Sequence, residues 1–111
     1  MKLDYNNIEE SVMPQFYGGE GVTRTRRYSD GLNKIMMGIL DVGCSIGFHT
    51  HEKNSEVIYI KSGKARCLYD DGEEQLMPGD VHYCPMGHSH SLINDSDSEP
   101  LEYFAIVAPE V

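Results

Sequence analysis

The sequence predicts an all-β fold, a sandwich or barrel of about eight short strands, and three observations carry that prediction. Runs rich in β-branched and aromatic residues recur at short, regular spacing. Turn punctuation interrupts them throughout, with eleven Gly and five Pro scattered singly rather than pooled in linkers. No segment shows the sustained 3.6-residue period of a long helix.

Residues 1–21 have mixed polarity and end in Gly18, Gly19 and Gly21, so "YNNIEESV" reads as a short helical turn or arm followed by a loop. "VTRTRRY" is the first strand and alternates weakly. "LNKIMMGILDV" could suit helix or strand by its Met pair, but the flanking Gly31 and Gly43 and its short length favour strand, with the methionines lining the interior or mouth. "EVIYIKSG" is β-branched and aromatic and stops at a glycine.

"KARCLYDDGEEQLMPGD" reads as two short strands joined at "YDDGE", where Asp-Gly is a hairpin signal. "GDVHYCP" is a strand ended by proline, "HSLIN" begins another, "NDSDSEP" is a solvated loop, and "LEYFAIVAP" is the last strand. No internal repeat or low-complexity tract divides the chain, so residues 1–111 form a single domain.

Nine basic against eighteen acidic residues give a formal charge of −9, which excludes a nucleic-acid partner and disfavours an anionic membrane surface. Arg24, Arg26 and Arg27 are too small a basic cluster to reverse this. Cys44, Cys67 and Cys84 are odd in number, widely spaced and without a CxxC pair, as reduced thiols filling a β-core would be. With no apolar leader-like or membrane-length run, a cytoplasmic location is the simplest expectation.

The chemistry sits in two histidine-bearing stretches. In "GFHTHEKNSEVIYIKSG", residues 47–63, His49 and His51 are two apart and project to one side of a strand. Glu56 opens the next strand, and if that strand pairs with the first, its carboxylate reaches the point at which both imidazoles aim. Ile58 and Ile60 share its face and would make an apolar wall, as ligand pockets have. Alternation puts Tyr59 and Tyr83 on the opposite faces, where packing is their expected role. "GDVHYCPMGHSHSLIN", residues 79–94, supplies three more histidines, from which a fourth ligand would come.

Two imidazoles, a carboxylate and a third imidazole form a donor set suited to Fe, Mn, Ni, Co or Zn as the divalent ion, without the thiolates of closed structural zinc. Four protein donors around an octahedral ion leave two positions for water or substrate.

These residues resemble the cupins, small double-stranded β-helix (jelly-roll) proteins. The first cupin motif is a glycine, five residues, H-x-H, three or four residues, a glutamate, six residues and a glycine; Gly43, His49, His51, Glu56 and Gly63 fit it without a gap, over residues 43–63. The second is a glycine, five residues, P-x-G, two residues, a histidine, three residues and an asparagine; Gly79, Pro85, Gly87, His90 and Asn94 fit it over residues 79–94. Ten fixed positions at usages of about 5 percent each coincide by chance with a probability of roughly 10⁻¹³, so the match is specific.

The resemblance implies a jelly-roll barrel, with His49, His51, Glu56 and His90 as ligands of one divalent transition metal. It also implies a small-molecule partner and chemistry of the dioxygenase, decarboxylase, isomerase or lyase kinds. A non-catalytic, metal-centred binding or sensor module for a sugar or carboxylate is the alternative. His88 is the first candidate acid/base, either beside the ligands or as a solvent-exposed turn residue, whereas His82 is expected in a surface or hydrogen-bonded role. Arg24 and Arg26 form a weak substrate clamp, a partnered surface role being preferred. Motif glycines Gly43, Gly63, Gly79 and Gly87 are expected at turns needing unusual backbone angles. Exposed sheet edges, and an N-terminal arm able to cover one, point to a homodimer.

Overall fold

A computed structural model describes residues 1–110. They form ten strands: β1 (Glu10–Pro14), β2 (Val22–Ser29), β3 (Lys34–Leu40), β4 (Ser45–Thr50), β5 (Ser55–Ser62), β6 (Ala65–Tyr69), β7 (Gly72–Leu76), β8 (Val81–Cys84), β9 (Ser89–Asn94) and β10 (Leu101–Ala108). Two 3-10 turns, Tyr5–Asn7 and Phe16–Gly18, flank β1. A six-stranded sheet in the order β1-β2-β3-β10-β5-β8 packs against a four-stranded sheet in the order β4-β9-β6-β7, and every pairing is antiparallel.

Alternation along the strands builds the interior. β10 alternates buried and half-buried residues without a break, and β5 alternates from Glu56 to Ile60. Their inward residues, Ile58, Ile60, Leu101 and Tyr103, meet Leu40, Cys67 and Leu92 in one core. Each such aliphatic side chain, once fully buried, contributes about 1.5–3 kcal/mol relative to exposure. Gly38 makes room for the largest of them, since a Cβ there would lie 2.1 Å from Cζ of Tyr103.

Three expectations are refined. The N-terminal arm does begin with a helical turn, but Glu10–Pro14 then pairs with β2 as an edge strand; its polar, weakly alternating sequence hid it. Tyr59 and Tyr83 do not pack inside but lie on the outer face of the six-stranded sheet, 42% and 55% exposed, where no further layer covers them. The β6–β7 hairpin is present, yet Tyr69 pairs with Gly72, so Asp70 and Asp71 make the turn and the glycine starts the next strand. Asp70 takes the left-handed conformation, with φ of 48°.

The methionine pair divides, with Met36 in the core and Met37 on the opposite, half-buried face. All three cysteines are buried and free, as core filling requires. The four motif glycines all have positive φ, between 82° and 95°. Asn94, the last motif residue, pins the 95–100 loop: its amide donates to the carbonyls of Leu40 and Glu99, both at 2.9 Å, and its oxygen accepts from the backbone N–H of Ser96. No described helix is long and apolar enough to cross a membrane.

Candidate metal centre

The carboxylate does not reach the imidazoles through a β4–β5 pairing. β4 pairs with β9, which brings His49 directly opposite His90, while β5 lies in the other sheet between β10 and β8. Glu56 thus approaches across the interior. His51 lies just past the end of β4 and is held there by backbone bonds in both directions: its N–H donates to the His88 carbonyl at 3.0 Å, and its carbonyl accepts from Gly87 at 2.7 Å.

The four donors converge. Nε2 of His51 lies 3.2 Å from Nε2 of His49, 3.0 Å from Nε2 of His90 and 3.1 Å from Oε1 of Glu56, and Nε2 of His90 lies 3.0 Å from that same oxygen. All four donor atoms fall within 4.8 Å of one another. A hydrogen-bond network cannot explain this, because one imidazole nitrogen carries either one proton or one lone pair and here has three neighbours. Ligands at about 2.1 Å from an octahedral ion stand about 3.0 Å apart when adjacent. The donor set fits one divalent cation.

Each ring is fixed in the ligand tautomer from behind. Nδ1 of His49 donates to the Gly47 carbonyl at 2.8 Å, and Nδ1 of His51 donates to the Asn54 side-chain carbonyl at 2.6 Å. Nδ1 of His90 donates to Nε2 of His82 at 3.1 Å, and His82 in turn donates from Nδ1 to Glu74 at 2.8 Å. All three Nε2 lone pairs therefore face the centre. His82 is buried rather than on the surface and serves the hydrogen-bonded role.

The electrostatics keep His49 neutral and Glu56 ionised, and they draw toward His51 a proton that a bound cation would displace. Burial holds His49 down at about 4, so it is neutral at pH 7. For Glu56 burial works upward, but the adjoining imidazoles of His51 and His90 outweigh it and hold the carboxyl at about 2. His51 is raised, above all by its bond to Glu56, against the pull of burial and of the nearby Lys34 ammonium.

A second group, Cys67 with His82 and His90, also lies within 4.8 Å. Burial pushes the Cys67 thiol up to about 12, and the facing nitrogens of His82 and His90 are already paired with each other.

The cluster opens into a cavity of about 360 Å³ with apolar walls that include Phe16, Met36, Ile46 and Ile58. Tyr17 stacks on His49 with ring centroids 4.0 Å apart and 9° between planes. Gly47 permits that stack, because a Cβ there would lie 1.9 Å from the Tyr17 carbonyl oxygen.

His88 is a correction. Its ring is held by Asp70 at 2.6 Å and Tyr69 at 3.2 Å, its side chain is 44% exposed, and it is not among the cavity-lining residues. Strand parity with His90 misled because β9 begins only at Ser89, so His88 still belongs to the turn. Arg24 and Arg26 also stay out of the cavity: Arg24 pairs with Asp41 and Glu10, and Arg26 donates to the carbonyls of Tyr5 and Ile8. The preferred surface role holds for both. Arg27 and Lys34 line the cavity instead, together with Lys53.

A family model for the cupin domain matches residues 36–107. An oxalate-binding protein of Thermotoga maritima is 35% identical over 69 residues, a match covering 61% of this chain and 55% of that protein. This chain thus spans little more than half of that relative. The crystal structure of a predicted oxalate decarboxylase from Thermotoga maritima superposes with a TM-score of 0.90 at 23% identity, over 99% of this chain and 100% of that one. A sugar phosphate isomerase from a cupin superfamily of Silicibacter pomeroyi superposes with a TM-score of 0.81 at 21% identity, over 99% of this chain and 76% of that one. At these identities the structural likenesses speak for the fold.

Proposed function

The chain belongs to the cupin-domain family, and from that premise we propose that it holds one divalent transition ion, Mn, Fe, Ni, Co or Zn, on His49, His51, Glu56 and His90 to act on a small polar metabolite. The observation that carries the reading is the convergence of three lone-pair-bearing Nε2 atoms and one ionised carboxylate at 3.0–3.2 Å contacts, facing an open cavity. When bound, such an ion supplies Lewis acidity, polarising a carbonyl or carboxylate or acidifying a water.

The chain's own residues do the rest. Gly47, Asn54 and the Glu74–His82 pair keep the three imidazoles deprotonated at Nε2. Apolar side chains wall part of the cavity, and Tyr17 closes one side of His49. A ligand with two neighbouring oxygens would suit an ion held by only four protein donors, which agrees with a relative whose name is that of an oxalate-binding protein.

The reaction classes in view are oxidative cleavage, decarboxylation and isomerisation or elimination. One observation favours the non-catalytic alternative: among the described residues, the cavity lining offers no imidazole beyond the three ligands. Protein purified without chelator and analysed for metal, then assayed for O₂ consumption and product formation on small carboxylates, carbonyl compounds and sugars, tests the reading. Turnover abolished in His51→Ala supports an enzyme. Thermal protection by a compound that is never converted supports a binding module.

The same reading includes a cytoplasmic homodimer, for which the support is three free thiols and an exposed edge at β1. A monomeric mass at micromolar concentration would refute the dimer.

A further inference from the structure

The charge of this chain is unevenly placed. It has nine basic and eighteen acidic residues, yet the cavity is lined by three of the bases, Arg27, Lys34 and Lys53, and by only two acids, Glu52 and Glu56. Glu56 belongs to the metal-ligand cluster. With a divalent ion present the cavity is a positive focus in a strongly acidic protein.

Arg27 and Lys34 are also free to take a ligand. Arg24, three residues before Arg27, is clamped by Glu10 and Asp41, whereas among the described residues no carboxylate forms an ion pair with Arg27 or Lys34. Arg27 is exposed at the rim and Lys34 is half-buried.

Register places the two cations together and at a defined distance from the metal ligands. Arg27 lies opposite Met36, and Lys34 lies opposite Ser29, so the two cations are diagonal neighbours on one face, with Cα atoms about 7–8 Å apart. Lys34 is opposite Val107, and Val107 is opposite Glu56. Two strand spacings therefore separate Lys34 from the metal carboxylate, about 10 Å along the sheet. Between them the floor is apolar, made by Met36, Ile58, Tyr103 and Val107.

The cavity has a metal-binding end, an apolar middle and a cationic end. Oxalate would occupy only the first. Resting on the metal-chelating reading above, we propose that the ligand is a two-headed anion: a 2-hydroxy- or 2-oxo-acid head that chelates the ion, a short carbon chain, and a second carboxylate or phosphate held by Arg27 and Lys34. A guanidinium at the rim suits either tail, since both offer paired oxygens to its fork.

Calorimetric titration of the Mn(II)-loaded protein tests this, with oxalate and lactate as head-only probes and malate and 3-phosphoglycerate as two-headed ones. At least one two-headed acid is expected to bind about tenfold or more tighter than lactate, as a charge-assisted hydrogen bond supplies, and the preferred tail identifies the class. In Arg27→Met and Lys34→Met that preference collapses, while Mn(II) stoichiometry stays at the wild-type value in both and oxalate affinity does so in Arg27→Met. Two-headed acids binding no tighter than lactate, or a preference that survives both substitutions, overturns the proposal. Absence of Mn(II) uptake with no binding by any probe refutes the metal reading instead, and this inference with it.

Discussion

Removing the carboxylate of Glu74 should weaken metal binding from a distance, although Glu74 touches no metal ligand. Its oxygen accepts from Nδ1 of His82 at 2.8 Å, which leaves Nε2 of His82 to accept from Nδ1 of His90 at 3.1 Å. In Glu74→Ala, His82 can change tautomer and present an N–H to His90. His90 then loses its acceptor, and the form with the proton on Nε2, facing the ion, becomes populated. Loss of such a supporting partner typically costs 10–100-fold in metal affinity, or about 1.4–2.7 kcal/mol. Glu74→Gln keeps an acceptor and loses only the charge, so its loss should be smaller.

The Glu74 side chain is 46% exposed on an edge strand but is the acceptor for buried His82, so the metal-free variants should lose about 1–3 kcal/mol, and metal effects are read against each variant's own metal-free Tm. Competition with a chelator at pH 7 measures affinity directly. Thermal unfolding gives a second reading: metal at 100 times its Kd stabilises wild type by about 2.7 kcal/mol, and a tenfold weaker site retains about 1.4 kcal/mol. The difference shrinks the metal-induced rise in Tm by about 5 °C. Wild-type affinity within twofold in a well-folded Glu74→Ala protein would show that the relay does not position His90.

Two further outcomes follow from the same geometry. Folded His49 resists protonation until about 4, against an ordinary 6.5, so between these values the unfolded chain binds the extra proton and stability falls as pH falls. Glu56, held at about 2 against 4.5, extends the loss to lower pH, while the raised His51 opposes it. The metal-free protein should therefore lose Tm on acidification from pH 6.5 to 4, and His49→Phe should flatten that slope; an unchanged slope rejects the assignment. Gly47→Ala places a methyl 1.9 Å from the Tyr17 oxygen and should cost about 1–3 kcal/mol by overpacking, measured by urea denaturation, with a full wild-type midpoint as the contrary result.

The four donors were legible because the two glycine-bounded motifs fix their spacing, and strand alternation fixes which way His49 and His51 face. What alternation does not encode is the partner strand. Alternation alone therefore sets β5 beside β4, whereas Glu56 crosses from the opposite sheet. The groups that fix the imidazole tautomers were hidden for the same reason, since Glu74 and His82 meet only through the packing of one sheet on the other. Asn54, three residues after His51, left a local trace that could have been read. His88 shows the opposite error, in which periodicity was extended one residue beyond the strand that supports it.

His49, His51 and His90 sit on or beside the four-stranded sheet, and Glu56 sits on the six-stranded one. An ion shared among them would act as a clasp between two walls otherwise joined by side-chain packing and by the few bonds of His82 and Asn94. Gripping it should slow the breathing of both walls at once, so that amide protons at the start of β5 and of β9 exchange in step although no backbone bond joins those strands. The gap that admits a ligand would then be set by the radius of the captured ion.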